Sequence, residues 1–284
     1  MTLRHILVPL QGTADDTAAL SSALGIAKTV GAHVEALFTA LDPRQAAIQA
    51  DYMSPVIFDR IMTETEADNS RRRQLTGALF SKLAGEHNVP VRDKPTKLSE
   101  PSANYIERTG DQGGVVVDAS RLSDLVVFGL PRSTDVSLAL DAALRASGRP
   151  VLLAPQVIPP GSIKTIAIAW NGSIQATRAV GFAMPLLEGA ANVVVLTADG
   201  EQLYGPSAKD LASALAWHGI RASSCVLTSK SKAQADTLLK AAEHNSADMM
   251  VLGAYTRGEI RRLIFGGVTG QLLKNSPLPL LMAH

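Results

Sequence analysis

His5-Ile6-Leu7-Val8-Pro9-Leu10-Gln11-Gly12-Thr13 has a counterpart later in the chain, Thr165-Ile166-Ala167-Ile168-Ala169-Trp170-Asn171-Gly172-Ser173. Each is an apolar run that closes on an amide side chain, a glycine and a hydroxyl, and each passes into a helical pattern. Short, almost wholly apolar runs bounded by turn residues predict strands buried on both faces of a parallel sheet. The correspondence continues outward from these two runs. His33-Val34-Glu35-Ala36-Leu37-Phe38 matches Asn192-Val193-Val194-Val195-Leu196-Thr197, and Ser123-Asp124-Leu125-Val126-Val127-Phe128-Gly129 matches Ala247-Asp248-Met249-Met250-Val251-Leu252-Gly253. The halves also close alike, on Arg149-Pro150-Val151-Leu152-Leu153-Ala154 and Leu278-Pro279-Leu280-Leu281-Met282-Ala283.

Matched landmarks in one order predict an internal repeat. Each half reads β-α-β-α-β-α-β-α-β, with the helices as right-handed crossovers. The fold class expected is α/β: two tandem, doubly wound, parallel-sheet domains of Rossmann-like type, related by a pseudo-twofold axis. The domains are expected at residues 1–156 and 163–284. Proline and glycine punctuate the linker, Pro155-Gln156-Val157-Ile158-Pro159-Pro160-Gly161-Ser162. Open sheets of this kind bind ligands at the carboxyl ends of their strands, near the point where strand order reverses. Gly12, Gly129, Gly172 and Gly253 all fall at such ends.

The halves diverge after the fourth strand. Val251-Leu252-Gly253-Ala254-Tyr255-Thr256-Arg257 leads through an apolar and basic stretch to Phe265, then to Gly266-Gly267-Val268-Thr269. Glycines let the backbone approach an anion closely. Main-chain N–H groups at a helix start, with a threonine hydroxyl beside them, suit a phosphate. The first half has Leu130-Pro131-Arg132-Ser133-Thr134-Asp135-Val136 in that place, without the glycine pair. It also has an insertion at residues 41–66, whose apolar positions Ile48, Met53, Val56, Ile57, Ile61 and Met62 suit a covered cleft or a partner surface.

Composition bounds the rest. The 284 residues are 46% hydrophobic and 19% charged, enough for a packed core. A net charge of +1 gives no electrostatic reason to expect nucleic acid or an anionic membrane as partner. The single cysteine, Cys225, excludes an internal disulfide, and the six histidines show no metal-ligand spacing. No signal-peptide layout and no long apolar run are present, so a soluble cytoplasmic protein is expected. The phosphate loop Gly-x-x-x-x-Gly-Lys-Ser/Thr, the dinucleotide fingerprint Gly-x-Gly-x-x-Gly and the Gly-x-Ser-x-Gly elbow are all missing.

Taken together, these residues resemble the universal stress protein family in its tandem, two-domain form, within the adenine nucleotide alpha hydrolase-like folds. The family's nucleotide motif is Gly, two residues, Gly, nine residues, Gly, then a small residue, often with Val-Thr. Gly253, Thr256, Gly266, Gly267, Val268 and Thr269 follow this spacing, with Thr256 standing where the family has its second glycine. Asn171, and Gln11 in the first half, stand where ATP-binding members carry an Asp. The resemblance implies one adenine-nucleotide pocket lined by Ala169, Asn171, Leu252, Gly253, Thr256, Gly266, Gly267, Val268 and Thr269. Arg257 is the basic residue nearest the expected phosphates, against the reading of a solvated basic face shared with Arg261 and Arg262. The cofactor implied is ATP or another adenine nucleotide, with or without Mg. The resemblance also implies intramolecular pairing of the two last strands, with homodimerisation open, and an unidentified client protein.

The function expected is an ATP-binding stress-response regulator that works by ligand-dependent conformational change, with one working site in the C-terminal half. A nucleotide-free interaction module is the alternative. Slow ATP hydrolysis is a weaker one, because the motif holds no carboxylate placed as a base. No catalytic or metal residue is assigned. Asn171 can equally serve a local turn before the helix. Trp170 and Trp217 are expected in packing, Cys225 as a buried thiol, and Arg71-Arg72-Arg73 on an exposed helix surface.

Overall fold

The computed structural model describes residues 2–44, 55–94, 99–131, 136–155, 163–198, 204–228, 234–254, 271–273 and 276–284. Two compact units emerge. One comprises residues 3–128 and 137–149. The other holds residues 150–284 together with 129–136 and the first two residues.

The first unit contains strands β1 (His5–Leu10), β2 (His33–Ala40), β3 (Ser102–Thr109) and β4 (Leu125–Gly129, whose last residue falls in the other unit). Its helices are α1 (Asp15–Val30), α2 (Pro55–Glu86), α3 (Gln112–Arg121) and α4 (Leu138–Ala146). The strand order is β3-β2-β1-β4, with β1 parallel to both neighbours and β2 parallel to β3. The second unit contains β5 (Val151–Ala154), β6 (Thr165–Ala169), β7 (Asn192–Ala198), β8 (Ala222–Leu227), β9 (Met249–Gly253) and β10 (Leu280–Ala283). Helices α5 (Ile174–Leu187), α6 (Ala208–Leu215) and α7 (Gln234–His244) connect them. Here the order is β5-β10-β9-β6-β7-β8.

The order β8-β7-β6-β9 repeats β3-β2-β1-β4 element for element, as the matched runs predicted. The apolar strands pack as expected: Ile6, Leu7 and Val8 in β1, Ile166, Ala167 and Ile168 in β6, and all four residues of β10 are buried. β5 and β10 run antiparallel, with Leu280 opposite Leu153 and Met282 opposite Val151. The repeat extends to the feet of the strands. Asp124 Oδ2 accepts the N–H groups of Arg4 (2.8 Å) and His5 (2.9 Å), and Asp248 Oδ2 accepts those of Lys164 (2.8 Å) and Thr165 (2.9 Å). Each Asp thus ties the start of its own strand to the start of the central one, and satisfies donors that would otherwise be unpaired.

Two expectations are corrected. Cys225 lies in a strand, as expected, but β8 is the last strand of its sheet and the thiol is exposed. Trp217 is not packed: it sits in a single 3-10 turn, Ala216–His218, and is exposed. Trp170 is buried, and its Nε1 donates to the Pro206 carbonyl at 2.8 Å. Within 41–66, helix α2 begins at Pro55. Val56 and Ile57 are exposed, while Ile48 and Met53 lie outside the described residues. Among the described residues, no helix is long and apolar enough to cross a membrane.

Candidate functional site

In the second unit the chain leaves β6 toward β7 and β8, then crosses back so that β9 lies on the other side of β6. The carboxyl ends of β6 and β9 therefore flank the switch point, where the sheet opens toward a ligand. Ala169 pairs with Leu252 at this end, and β10 carries the ladder on to Gly253, opposite Ala283. The fold thus brings together Ala169, Asn171, Leu252 and Gly253. Thr256, Arg257, Gly266, Gly267, Val268 and Thr269 lie outside the described residues.

The turn after β6 has a defined construction. Asn171 Oδ1 accepts the Ser173 N–H at 3.1 Å, forming an Asx turn. Gly172 adopts φ +73°, a left-handed conformation that glycine takes without strain. Ser173 then caps α5, its hydroxyl accepting the Ala176 N–H at 3.1 Å. The loop before α6 closes over this turn. Tyr204 N–H donates to the Asn171 carbonyl at 2.9 Å, and a Cβ on Gly172 would lie 2.6 Å from the Gly205 nitrogen. Tyr204 and Gly205 were not among the expected site residues. The Tyr-Gly-Pro-Ser turn signal at 204–207 marks the loop, but nothing local says where it lands.

Gly253 has its own packing reason. A Cβ there would fall 2.6 Å from the Ala176 nitrogen and 2.9 Å from the Gln175 carbonyl carbon. The end of β9 lies directly against the first turn of α5, and only glycine permits that approach.

The corresponding turn of the first unit is built otherwise. Gly12 repeats the left-handed glycine with φ +74°. Its neighbouring N–H groups, however, all point at one carboxylate. Asp16 accepts from Gln11 (3.0 Å), Gly12 (2.7 Å) and Thr13 (3.3 Å). Asp16 is buried, and burial pushes its carboxyl above the usual range, against the pull of these hydrogen bonds. The position matching Asp16 in the second unit is Ala176, so the two turns share a backbone shape and differ in charge.

Arg72 is a further departure from the exposed surface expected for 71–73. Its Nε donates to the Gln11 carbonyl at 2.7 Å, and its guanidinium lies 5.6 Å from the centre of the Phe38 ring. The Gln112 carboxamide oxygen, turned toward it, accepts at 2.9 Å. A cavity of about 470 Å³ remains beside it, lined by Gln11, Gly12, Thr13, Leu41, Arg72 and Gln112 among others. Pro9 also separates the halves. The odd-numbered residues of β1 turn their backbone to β4, since Asp124 N–H donates to the His5 carbonyl. Pro9 has no N–H to offer there, and the β1–β4 register ends at Leu7 opposite Val126. Ala169, at the matching place, continues the pairing with β9. Among the described residues, no group of three or more His, Cys, Asp or Glu is placed to hold a metal ion.

Comparison with known proteins bears on this geometry. Residues 162–284 match the Universal stress protein family. No curated protein sequence matches the chain. Among solved structures, a universal stress protein from Archaeoglobus fulgidus DSM 4304 is similar at 15% identity and a TM-score of 0.66, covering 99% of this chain and 96% of that one. A functionally unknown protein from Pseudomonas aeruginosa PAO1 is similar at 14% identity and a TM-score of 0.56, covering 99% and 92%. At these identities the structures speak to fold alone. They share the α/β arrangement along nearly the whole chain, and the family match places its C-terminal domain, residues 162–284, in the universal stress protein family.

Proposed function

We propose that this chain is a cytoplasmic adenine-nucleotide-binding regulator of the stress-response type, with ATP or a related nucleotide held by the second unit. The observation that carries this reading is the switch point itself. Asn171 and Gly253 stand at the two adjacent strand ends where a nucleotide would lie, ahead of a run whose sequence has the family's spacing. The described residues fit such a ligand as its floor: two small or apolar strand ends, a serine-capped helix start, and no internal carboxylate competing for the turn. Gly266, Gly267 and Thr269 would supply the phosphate contacts, and Arg257 a charge beside them. In the matching turn of the first unit, the Asp16 carboxyl already takes the N–H groups of Gln11, Gly12 and Thr13, which are then not free for a ligand. One nucleotide per chain is the consequence.

Binding would order residues 254–265 and alter a surface read by a client protein. Thermal unfolding and limited proteolysis with and without Mg-ATP test this. At 100 times the dissociation constant, bound nucleotide adds about 2.7 kcal/mol of stability, and the loop becomes slower to cleave. Unchanged melting and unchanged cleavage would remove the basis for the proposal. A second reading has an observation of its own. Asn171 is used by its Asx turn and Gly253 by the α5 contact, so both have structural reasons to be present without any ligand. A nucleotide-free interaction module would then be the function, and the same experiment separates the two.

A further inference from the structure

β8 forms the far edge of the second unit. β8 pairs with β7 on one side, and among the described residues no segment pairs with its other side. Ser223, Ser224, Cys225 and Val226 are all exposed, so the strand is open on both faces as well as along its edge. Val226 is 68% exposed and Trp217, just ahead of the strand, 91%. Proteins usually guard such an edge with charge, proline, a bulge or a covering segment. The matching strand of the first unit is guarded. β3 carries Glu107 and Arg108, Arg73 holds Glu107 at 2.6 and 2.8 Å, and Val91 bridges to Ala103. Ala222–Leu227 contains no charged residue, no proline and no glycine.

The backbone of β8 fixes what can pair with it. Val193 N–H donates to the Arg221 carbonyl at 3.1 Å. The alternation of a parallel ladder then turns the backbone groups of Arg221, Ser223 and Cys225 toward β7, and those of Ala222, Ser224 and Val226 outward. A second copy of the same strand, antiparallel about a twofold axis at Ser224, meets all three outward residues. Ser224 then faces its own copy, Ala222 faces Val226, and Ser223 faces Cys225. No like charges meet in this register, and small residues lie opposite the larger ones. We propose that β8 is a homodimer seam through which two copies of this chain pair edge to edge. A second copy brings the same unguarded edge, so pairing satisfies both strands at once and sets no charge of either sign against another. A seam of one six-residue strand makes a weak dimer that forms as concentration rises.

The register supplies its own test on the full chain. Ser223→Cys places a thiol opposite Cys225 in a non-hydrogen-bonded pair, at a Cα separation of about 4.5 Å, within disulfide reach. Mild oxidation of this variant should give a covalent dimer. The parent chain should not, because Cys225 and its copy lie two positions apart along the strands. Sedimentation equilibrium should show a concentration-dependent dimer. Val226→Lys, at an exposed outward position, should raise its dissociation constant about tenfold or more. Its circular dichroism melt should match that of the parent, showing that the fold is intact. A chain that stays monomeric at every concentration overturns the proposal. So does a dimer indifferent to Val226→Lys, or a Ser223→Cys chain that does not cross-link. Binding of an unrelated protein along β8 without self-association would likewise overturn the choice of a second copy.

Discussion

Asp16 and Asn171 follow strands of the same pattern and handle their turns in opposite ways. Asn171 uses a neutral oxygen to take one N–H group, while Asp16 gathers three with a carboxylate. Removing that acceptor leaves the half-buried N–H groups of Gln11 and Gly12 without their charged partner. Asp16→Ala should therefore cost about 1–3 kcal/mol in urea unfolding, and a change within experimental error would contradict this role. The Asx turn at Asn171 was one of two readings open beforehand, beside contact with a ligand, and Asn-Gly-Ser before a helix pointed to it. The role of Asp16 was not, since an acidic residue in a first helical turn is ordinary and only the fold shows where it reaches. His33 gives a prediction of another kind. Its Nδ1 lies 2.8 Å from Ser102 Oγ and its Nε2 lies 3.2 Å from Asn104 Oδ1. Burial lowers its pKa below the ordinary 6.5. The unfolded chain then takes up the proton first, so the contribution is complete above 6.5 and is lost as pH falls through the folded value. His33→Gln should make stability fall less steeply over that interval than in the parent, measured by urea midpoints at several pH values. An identical slope would contradict it.

At the scale of elements, the strands were the most readable part. Continuous apolar runs with short turns can hardly be anything else in a repeating βα chain, and the repeat implied that the two halves share one strand order without saying which. Sequence failed at the edges. Ala-Ser-Ser-Cys-Val-Leu reads as a strand but does not say that it is the last one, so Cys225 was expected to be buried. Arg72 was expected on the surface because its neighbours are charged. It is drawn inward by the Phe38 ring and the Gln11 carbonyl, both far from it in sequence. Gly253 was read as lining the nucleotide pocket, and the packing of β9 on α5 supplies a structural reason for it as well. Gly253→Ala should destabilise the chain by about 1–3 kcal/mol even with no nucleotide present, by displacing the first turn of α5. A neutral result in thermal unfolding would show that the contact yields easily and would return Gly253 to a purely ligand-facing role.

On the scale of the whole molecule, one strand order has been used twice and the two copies have drifted at the carboxyl ends of their central strands. In the first, Pro9 withholds a backbone donor from β4, Asp16 occupies the turn and Arg72 reaches across it. In the second, the ladder from β6 to β9 continues to Ala169 and the turn holds no carboxylate. The repeat and this asymmetry were visible in the loss of the glycine pair after Gly129, although Pro9, Asp16 and Arg72 gained meaning only in three dimensions. The most direct test is native mass spectrometry of the purified full chain incubated with ATP, alongside Gly266→Glu. One adenine nucleotide per chain, lost in the variant while its folded charge-state distribution is kept, is the predicted result. Two nucleotides per chain, or none at any concentration, would contradict the assignment of a single site to the second unit.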